Sequence, residues 1–155
     1  YHWRQEFINE VITPVLLPAA QELVNKHRVR VDTLLVITAT NRFVTEPIVK
    51  LYGIENLLAT PPEFKNGRYT GSFIGTPCFQ AGKVTLLEEW LQNSGETLKD
   101  SYFYSDSHND LPLLQKVDYP IAVNPDEKLK NAAENNGWRI INLRDGICPQ
   151  DHFHK

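Results

Sequence analysis

Thr33-Leu34-Leu35-Val36-Ile37-Thr38 is a short, unbroken, largely apolar run, and the polar cluster Ala39-Thr40-Asn41 follows it directly. A run that does not alternate predicts a strand over 33–38 covered on both faces, as in a parallel sheet. The flanking sequence repeats the pattern. A helical stretch from about 43 to 52 stops at Gly53, and a second apolar piece runs from Ile54 to Ala59. Farther on, Ser101–Ser105 reads as strand, and Asp106–Asp110 as a polar turn into a helix through Leu113-Leu114. Pro120–Val123 reads as strand, Asn124-Pro125-Asp126 opens a helix that Gly137 closes, and Trp138–Leu143 reads as a last strand. Strands alternating with helices of about ten residues predict an α/β fold with a doubly wound, mainly parallel sheet.

Three further elements complete the pattern. Residues 5–27 carry a helical stripe of Phe7, Val11 and Val15, continued by Leu16, Ala20, Leu23 and Val24. Pro14 and Pro18 interrupt it and predict a kink or two short helices. Asn66-Gly67 is a turn dipeptide, so Glu63–Lys65 and Arg68–Thr70 predict a β-hairpin inserted on the α/β scaffold. Lys83–Gln92 reads as helix, with Val84, Leu87 and Leu91 on one face.

Composition narrows the function classes. At 155 residues and 41% hydrophobic, the chain can bury a core, and a net charge of −3 is too small to hold it disordered. No stretch reaches the roughly 18 apolar residues of a membrane span. The mildly acidic balance argues against a nucleic-acid-coating protein, which would carry a basic stripe. Cys78 and Cys148 form no CxxC pair and no metal spacing; one disulfide is open to them, but two free thiols in a reducing, cytoplasmic compartment is the better reading. His108 alone of the five histidines sits near a polar cluster, whereas His152 and His154 fall in a polar tail. There is no Met, and residues 1–20 lack the order of a signal peptide.

In an open parallel sheet the working edge is at the carboxyl ends of the strands. Thr38-Ala39-Thr40-Asn41 and Asp106-Ser107-His108-Asn109-Asp110 both fall there. Two carboxylates four residues apart across a strand-to-helix turn can converge, and such a pair needs a cation. Mg²⁺ suits it, taking one or two carboxylates and leaving positions for water and phosphate oxygens. The ordinary use of Asp110 or Asn109 is to cap the next helix. Thr38 can be a plain strand residue, or a hydroxyl donor to phosphate helped by N–H groups at the following helix start. Lys83, just after Gly82, is either a solvated lysine or a cation with an anionic task, since a helix N-terminus disfavours it. Together a hydroxyl, a lysine and an Asp-x-x-x-Asp after successive strands describe a Mg²⁺-phosphate site.

These motifs resemble the haloacid dehalogenase superfamily of phosphohydrolases, in the branch containing phosphoserine phosphatase. Leu34–Asn41 is similar to its second motif, Gly82-Lys83 to its third, and Tyr104–Pro112 to its fourth, the acid motif. Asn66–Gly71 resembles a hairpin of that branch, and Ile121–Pro125 the strand after the acid motif. The resemblance implies that Thr38, the N–H of Ala39, Asn41 and Asn109 bind the phosphoryl group. It implies that Lys83 bridges phosphate and nucleophile, that Asp106 ligates Mg²⁺, and that Asp110 supports Lys83 or the metal. The implied reaction is in-line displacement on a small phosphorylated metabolite through an aspartyl-phosphate, then hydrolysis.

One departure matters. The family's first motif, Asp-x-Asp, supplies the nucleophile and general acid ahead of the second motif. The acidic residues before Thr38 are Glu6, Glu10, Glu22 and Asp32, and none forms that motif. The expectation is a C-terminal fragment, inactive alone and poorly stable. Residues 1–27 would be the end of a helical cap with its return helix, 28–148 the core without its first strand, and 149–155 a tail. On the same expectation Trp3, Arg4 and Phe7 line the entrance. The alternatives are a non-catalytic phosphate-binding or interaction domain of the same fold, and a receiver-like domain. A receiver places its acidic pair early, whereas here the order is Thr, Lys, then Asp-x-x-x-Asp.

Overall fold

A computed structural model describes residues 2–149, so the tail histidines His152 and His154 lie outside the described residues. The chain forms two compact units, one built from the residues up to Leu16 and from Val24–Asn93, the other from Leu17–Leu23 and from Ser94 onward.

The first unit begins with α1 (His2–Phe7), a π-helical turn (Ile8–Ile12) and a 3-10 turn (Thr13–Val15). Then comes α2 (Pro18–Val29), whose first turns belong to the second unit. The prolines thus separate two helices, as the sequence predicts. The π turn is not legible in the hydrophobic stripe. Its cause is Thr13, whose N–H and hydroxyl both donate to the carbonyl of Ile8, five residues back.

β1 (Leu35–Asn41), α3 (Arg42–Leu51) and β2 (Asn56–Thr60) form a parallel β-α-β unit. Asn41 Oδ1 accepts from the N–H of Phe43 at 2.7 Å and caps α3. Gly53, at φ +66°, ends the helix turn where a side chain would be strained. Val49 of α3 packs on Leu57 and Ala59 of β2, with Val36 and Ile54 beside them. β1 starts and ends later than the apolar run predicts, because Ala39-Thr40-Asn41 stays extended instead of leaving the strand.

β3 (Pro62–Lys65) and β4 (Arg68–Phe73) make the expected antiparallel hairpin. Asn66 at φ +52° and Gly67 at φ +77° are both left-handed, the demand of a type I′ turn. Phe64 and Tyr69 meet edge to face at 5.0 Å, Tyr69 meets Phe43 at 5.2 Å, and the guanidinium of Arg4 lies 4.5 Å above the Phe43 ring. α4 (Ala81–Ser94) completes the unit and begins two residues before the predicted start.

The second unit holds β5 (Tyr102–Ser105), a 3-10 turn (His108–Asp110), α5 (Leu111–Leu114), β6 (Tyr119–Val123), α6 (Glu127–Asn136) and β7 (Arg139–Ile141). Its strands are parallel in the order β5-β6-β7. Successive residues of β6 point to opposite faces. Ile121 packs with Ile141, Leu143, Cys148, Ala19 and Leu23, while Ala122 packs with Leu114, Leu129 and Ala133. The run 33–38, for which the sequence predicts cover on both faces, is less enclosed: Leu34 to Thr38 are only partly buried and Thr33 is exposed. Asp126 caps α6 and Gly137, at φ +66°, closes it. β7 covers Arg139–Ile141 of the expected Trp138–Leu143 and stops there because Asn142 turns the chain, donating to Asp145 and accepting from the N–H of Arg144. β1 and β5 belong to different sheets. Among the described residues no helix is long and apolar enough to cross a membrane.

Candidate active site

The candidate residues fall in both units, Thr38, Ala39, Asn41 and Lys83 in the first and Asp106, Asn109 and Asp110 in the second. In the first unit the register of β1 on β2 is regular from Leu35 to Thr38 and then shifts, so that Asn41 meets Thr60 directly after Thr38 meets Ala59. Ala39 and Thr40 are therefore surplus to the ladder, a local irregularity that re-aims the chain. Thr38 Oγ1 accepts from the N–H of Thr40 at 3.1 Å, which leaves the hydroxyl hydrogen to donate elsewhere. Asn41 commits its oxygen to the cap of α3 and keeps two amide hydrogens.

Lys83 sits in the first turn of α4 and is buried, at 8% exposure. An ammonium is kept out of water only where polar groups surround it. The segment before it is anchored. Cys78, fully buried, donates its N–H to Thr60 Oγ1 at 3.0 Å, and its thiol lies 3.5 Å from the carbonyl of Leu58. Gly82 has no room for a side chain, since a Cβ there would collide with the carbonyl of Pro77. The sequence marks Gly82-Lys83 but not the cysteine that anchors the segment before it.

In the second unit Asp106, Asn109 and Asp110 come together in one turn after β5. Asp106 is exposed, whereas Asp110 is buried and accepts from the Ser105 hydroxyl at 2.7 Å. The ordinary capping role of Asp110 does not hold, because its side chain makes no cap hydrogen bond to α5. Ser107 caps the 3-10 turn instead, accepting from the N–H of Asn109 at 3.3 Å and from its side-chain amide at 3.2 Å. Asp126 reaches the same turn. One carboxylate oxygen accepts from the N–H of His108 at 2.8 Å and from its ring Nδ1 at 2.9 Å, the other from the N–H of Leu129 at 2.8 Å. Partial burial pushes the Asp126 carboxyl up, but these donors outweigh it and bring the pKa down to about 2. The sequence gives Ser105, Ser107 and Asp126 no functional mark beyond their position at strand ends and helix starts.

Among the described residues no three His, Cys, Asp or Glu side chains gather as a metal cage. The donor chemistry still suits Mg²⁺, which needs few protein ligands, all oxygen: Asp106 offers an exposed carboxylate and Asp110 a second one fixed by Ser105. Neither cysteine is in a disulfide.

A histidinol-phosphatase of Neisseria meningitidis is 45% identical over 92% of this chain, which covers 66% of that protein. A solved Bordetella pertussis protein of unknown function superposes with a TM-score of 0.87 at 46% identity, over 92% of this chain and 65% of that one. The chain thus spans just under two thirds of each. A substrate-bound phosphoserine phosphatase shares the fold at 23% identity and a TM-score of 0.65, over 81% of this chain and 60% of its own. A family model for haloacid dehalogenase-like hydrolases matches residues 1–115, most of the chain, so the chain belongs to the haloacid dehalogenase-like hydrolases.

Proposed function

We propose that the protein is a Mg²⁺-dependent phosphomonoester hydrolase acting on a small phosphorylated metabolite. The observation that carries this is the turn after β5, where one carboxylate is exposed and its partner is buried and hydrogen-bonded. Asp106 and Asp110 hold the metal side. Thr38, the N–H of Ala39, Asn41 and Asn109 bind the phosphoryl oxygens, and Lys83 neutralises charge between phosphate and nucleophile. Mg²⁺ held there by Asp106 and Asp110 would supply neutralisation of the charge on the phosphoryl group.

The reaction runs through an aspartyl-phosphate. The 155 residues contain no Asp-x-Asp, so the nucleophile and general acid come from residues of the protein outside them. Residues 1–27 serve as the end of the cap and its return helix. The Neisseria relative's name supports a phosphorylated amino alcohol as substrate. Two unbridged, buried thiols support a reducing, cytoplasmic setting.

The test is phosphate release by the full-length protein with Mg²⁺, on p-nitrophenyl phosphate, histidinol phosphate and phosphoserine. Release with Mg²⁺, abolished by Asp106→Asn, is expected, with histidinol phosphate preferred over phosphoserine. No release from any phosphomonoester would overturn the reading in favour of a non-catalytic domain. Turnover by residues 1–155 alone would overturn the assignment of the nucleophile.

A further inference from the structure

Asp126 lies 20 residues beyond Asp106, on the far side of β6, yet it touches the acid turn at three points. Its own N–H donates to the carbonyl of Asp106 at 2.8 Å. Its carboxylate accepts from the backbone N–H and the ring of His108. The same carboxylate caps α6 through Leu129. The helix start and the acid turn are therefore fastened to one side chain. The route there is unusual: Asn124, at φ +43°, breaks out of β6, and its side-chain oxygen accepts from the N–H of Leu143 at 3.1 Å. That brings the chain back across the carboxyl end of β5. On the other flank, the Ser105–Asp110 bond and the Ser107 cap hold the turn from within.

We infer that Asp126 is a positioning residue for Mg²⁺ binding: by clamping residues 106–108 it holds the Asp106 carboxylate where the metal takes it, with His108 as the grip. This rests on the reading of Asp106 and Asp110 as the metal side. A helix cap needs one acceptor oxygen, and Asp126 uses the other oxygen on the turn alone. Groups that orient a metal ligand without touching the ion typically change affinity by about 10- to 100-fold when removed.

The two uses can be separated. Asp126→Asn keeps an acceptor for the N–H of Leu129, and Asn is as good a cap as Asp. Its single oxygen cannot serve Leu129 and His108 together, so with that oxygen on the N–H of Leu129 the cap stays and the clamp opens. Asp126→Ala removes both. His108→Ala removes only the ring's bond and gives a second reading if Asp126→Asn does not fold. Mg²⁺ binding to the full-length protein is measured by titration calorimetry beside thermal unfolding and kcat and KM. For Asp126→Asn the expected result is a near-native melting temperature and a Mg²⁺ Kd raised about tenfold or more. Asp126→Ala should match that Kd at a lower melting temperature, and His108→Ala should give a smaller rise in Kd. Wild-type Mg²⁺ affinity in Asp126→Asn and His108→Ala would overturn the inference, including where Asp126→Asn is merely less stable, which would make Asp126 a cap alone. No Mg²⁺ binding by the wild type would overturn the metal reading, and the inference with it.

Discussion

The Ser105 hydroxyl donates to the Asp110 carboxylate at 2.7 Å, and both residues are 7% exposed. Ser105 is the last residue of β5 and Asp110 the last of the 3-10 turn, so one bond spans the base of the acid turn. Ser105→Ala removes a donor from a buried carboxylate, which typically costs about 1–3 kcal/mol. Urea unfolding should show a loss in that range, with a fall in phosphatase activity. A variant as stable and as active as the wild type would mean that the bond has no part in holding Asp110.

Lys83 tests the phosphate-binding part of the proposed function. Lys83→Met keeps the length and apolar stem but removes the charge, so α4 should persist. If the ammonium stabilises the transferring phosphoryl group, kcat should fall by about 10²–10³, the usual effect of losing one transition-state donor. Lys83→Arg should recover little, because a planar fork does not reproduce a compact point charge in a fitted site. Wild-type kcat in Lys83→Met would return Lys83 to a structural role.

Most of the frame is legible in the sequence because each element is set by local chemistry. Asn66-Gly67 predicts its turn through two left-handed residues, and Gly137 its helix end. What is not legible depends on partners distant in sequence. The length of β1 follows from a register shift against β2, which no property of Ala39 or Thr40 announces. Asp126 reads as an ordinary cap, and its second use shows only when β6 brings it beside His108. The candidate residues themselves are marked by type and order, whereas Ser105 and Cys78, which anchor the segments beside them, look like filler.

His27, at the end of α2, is buried with Nδ1 2.7 Å from Asp32 Oδ2. Burial lowers its pKa below the ordinary 6.5, more than the hydrogen bond and charge of Asp32 raise it, and Arg30 lowers it further. A base with a lowered folded pKa binds fewer protons folded than unfolded, so stability rises with pH there. The contribution is complete above 6.5 and is lost as pH falls from 6.5 through the lowered folded value. Melting temperature should therefore decline on acidification in that window, and His27→Gln should flatten the decline. An unchanged slope in the variant would assign the acid sensitivity to other groups.

Gly82 and Gly67 separate two reasons for glycine. At Gly67 a Cβ meets open space, but φ is +77°, so Gly67→Ala carries only backbone strain of about 1–2 kcal/mol. Activity should survive, because the hairpin turn holds none of the candidate residues. Gly82 lies inside α4, where Ala is ordinarily better than Gly by roughly 0.5–1 kcal/mol. If helix propensity decided, Gly82→Ala would stabilise the protein. The carbonyl of Pro77 is in the way, and it is backbone, fixed near Cys78 by the donation of the Phe79 N–H to it at 2.9 Å. Gly82→Ala should therefore lower the melting temperature and, by moving the first turn of α4, displace Lys83 and reduce kcat. The sign of the change in stability decides: a rise would show that the segment before α4 yields, and that Lys83 is held by the helix alone.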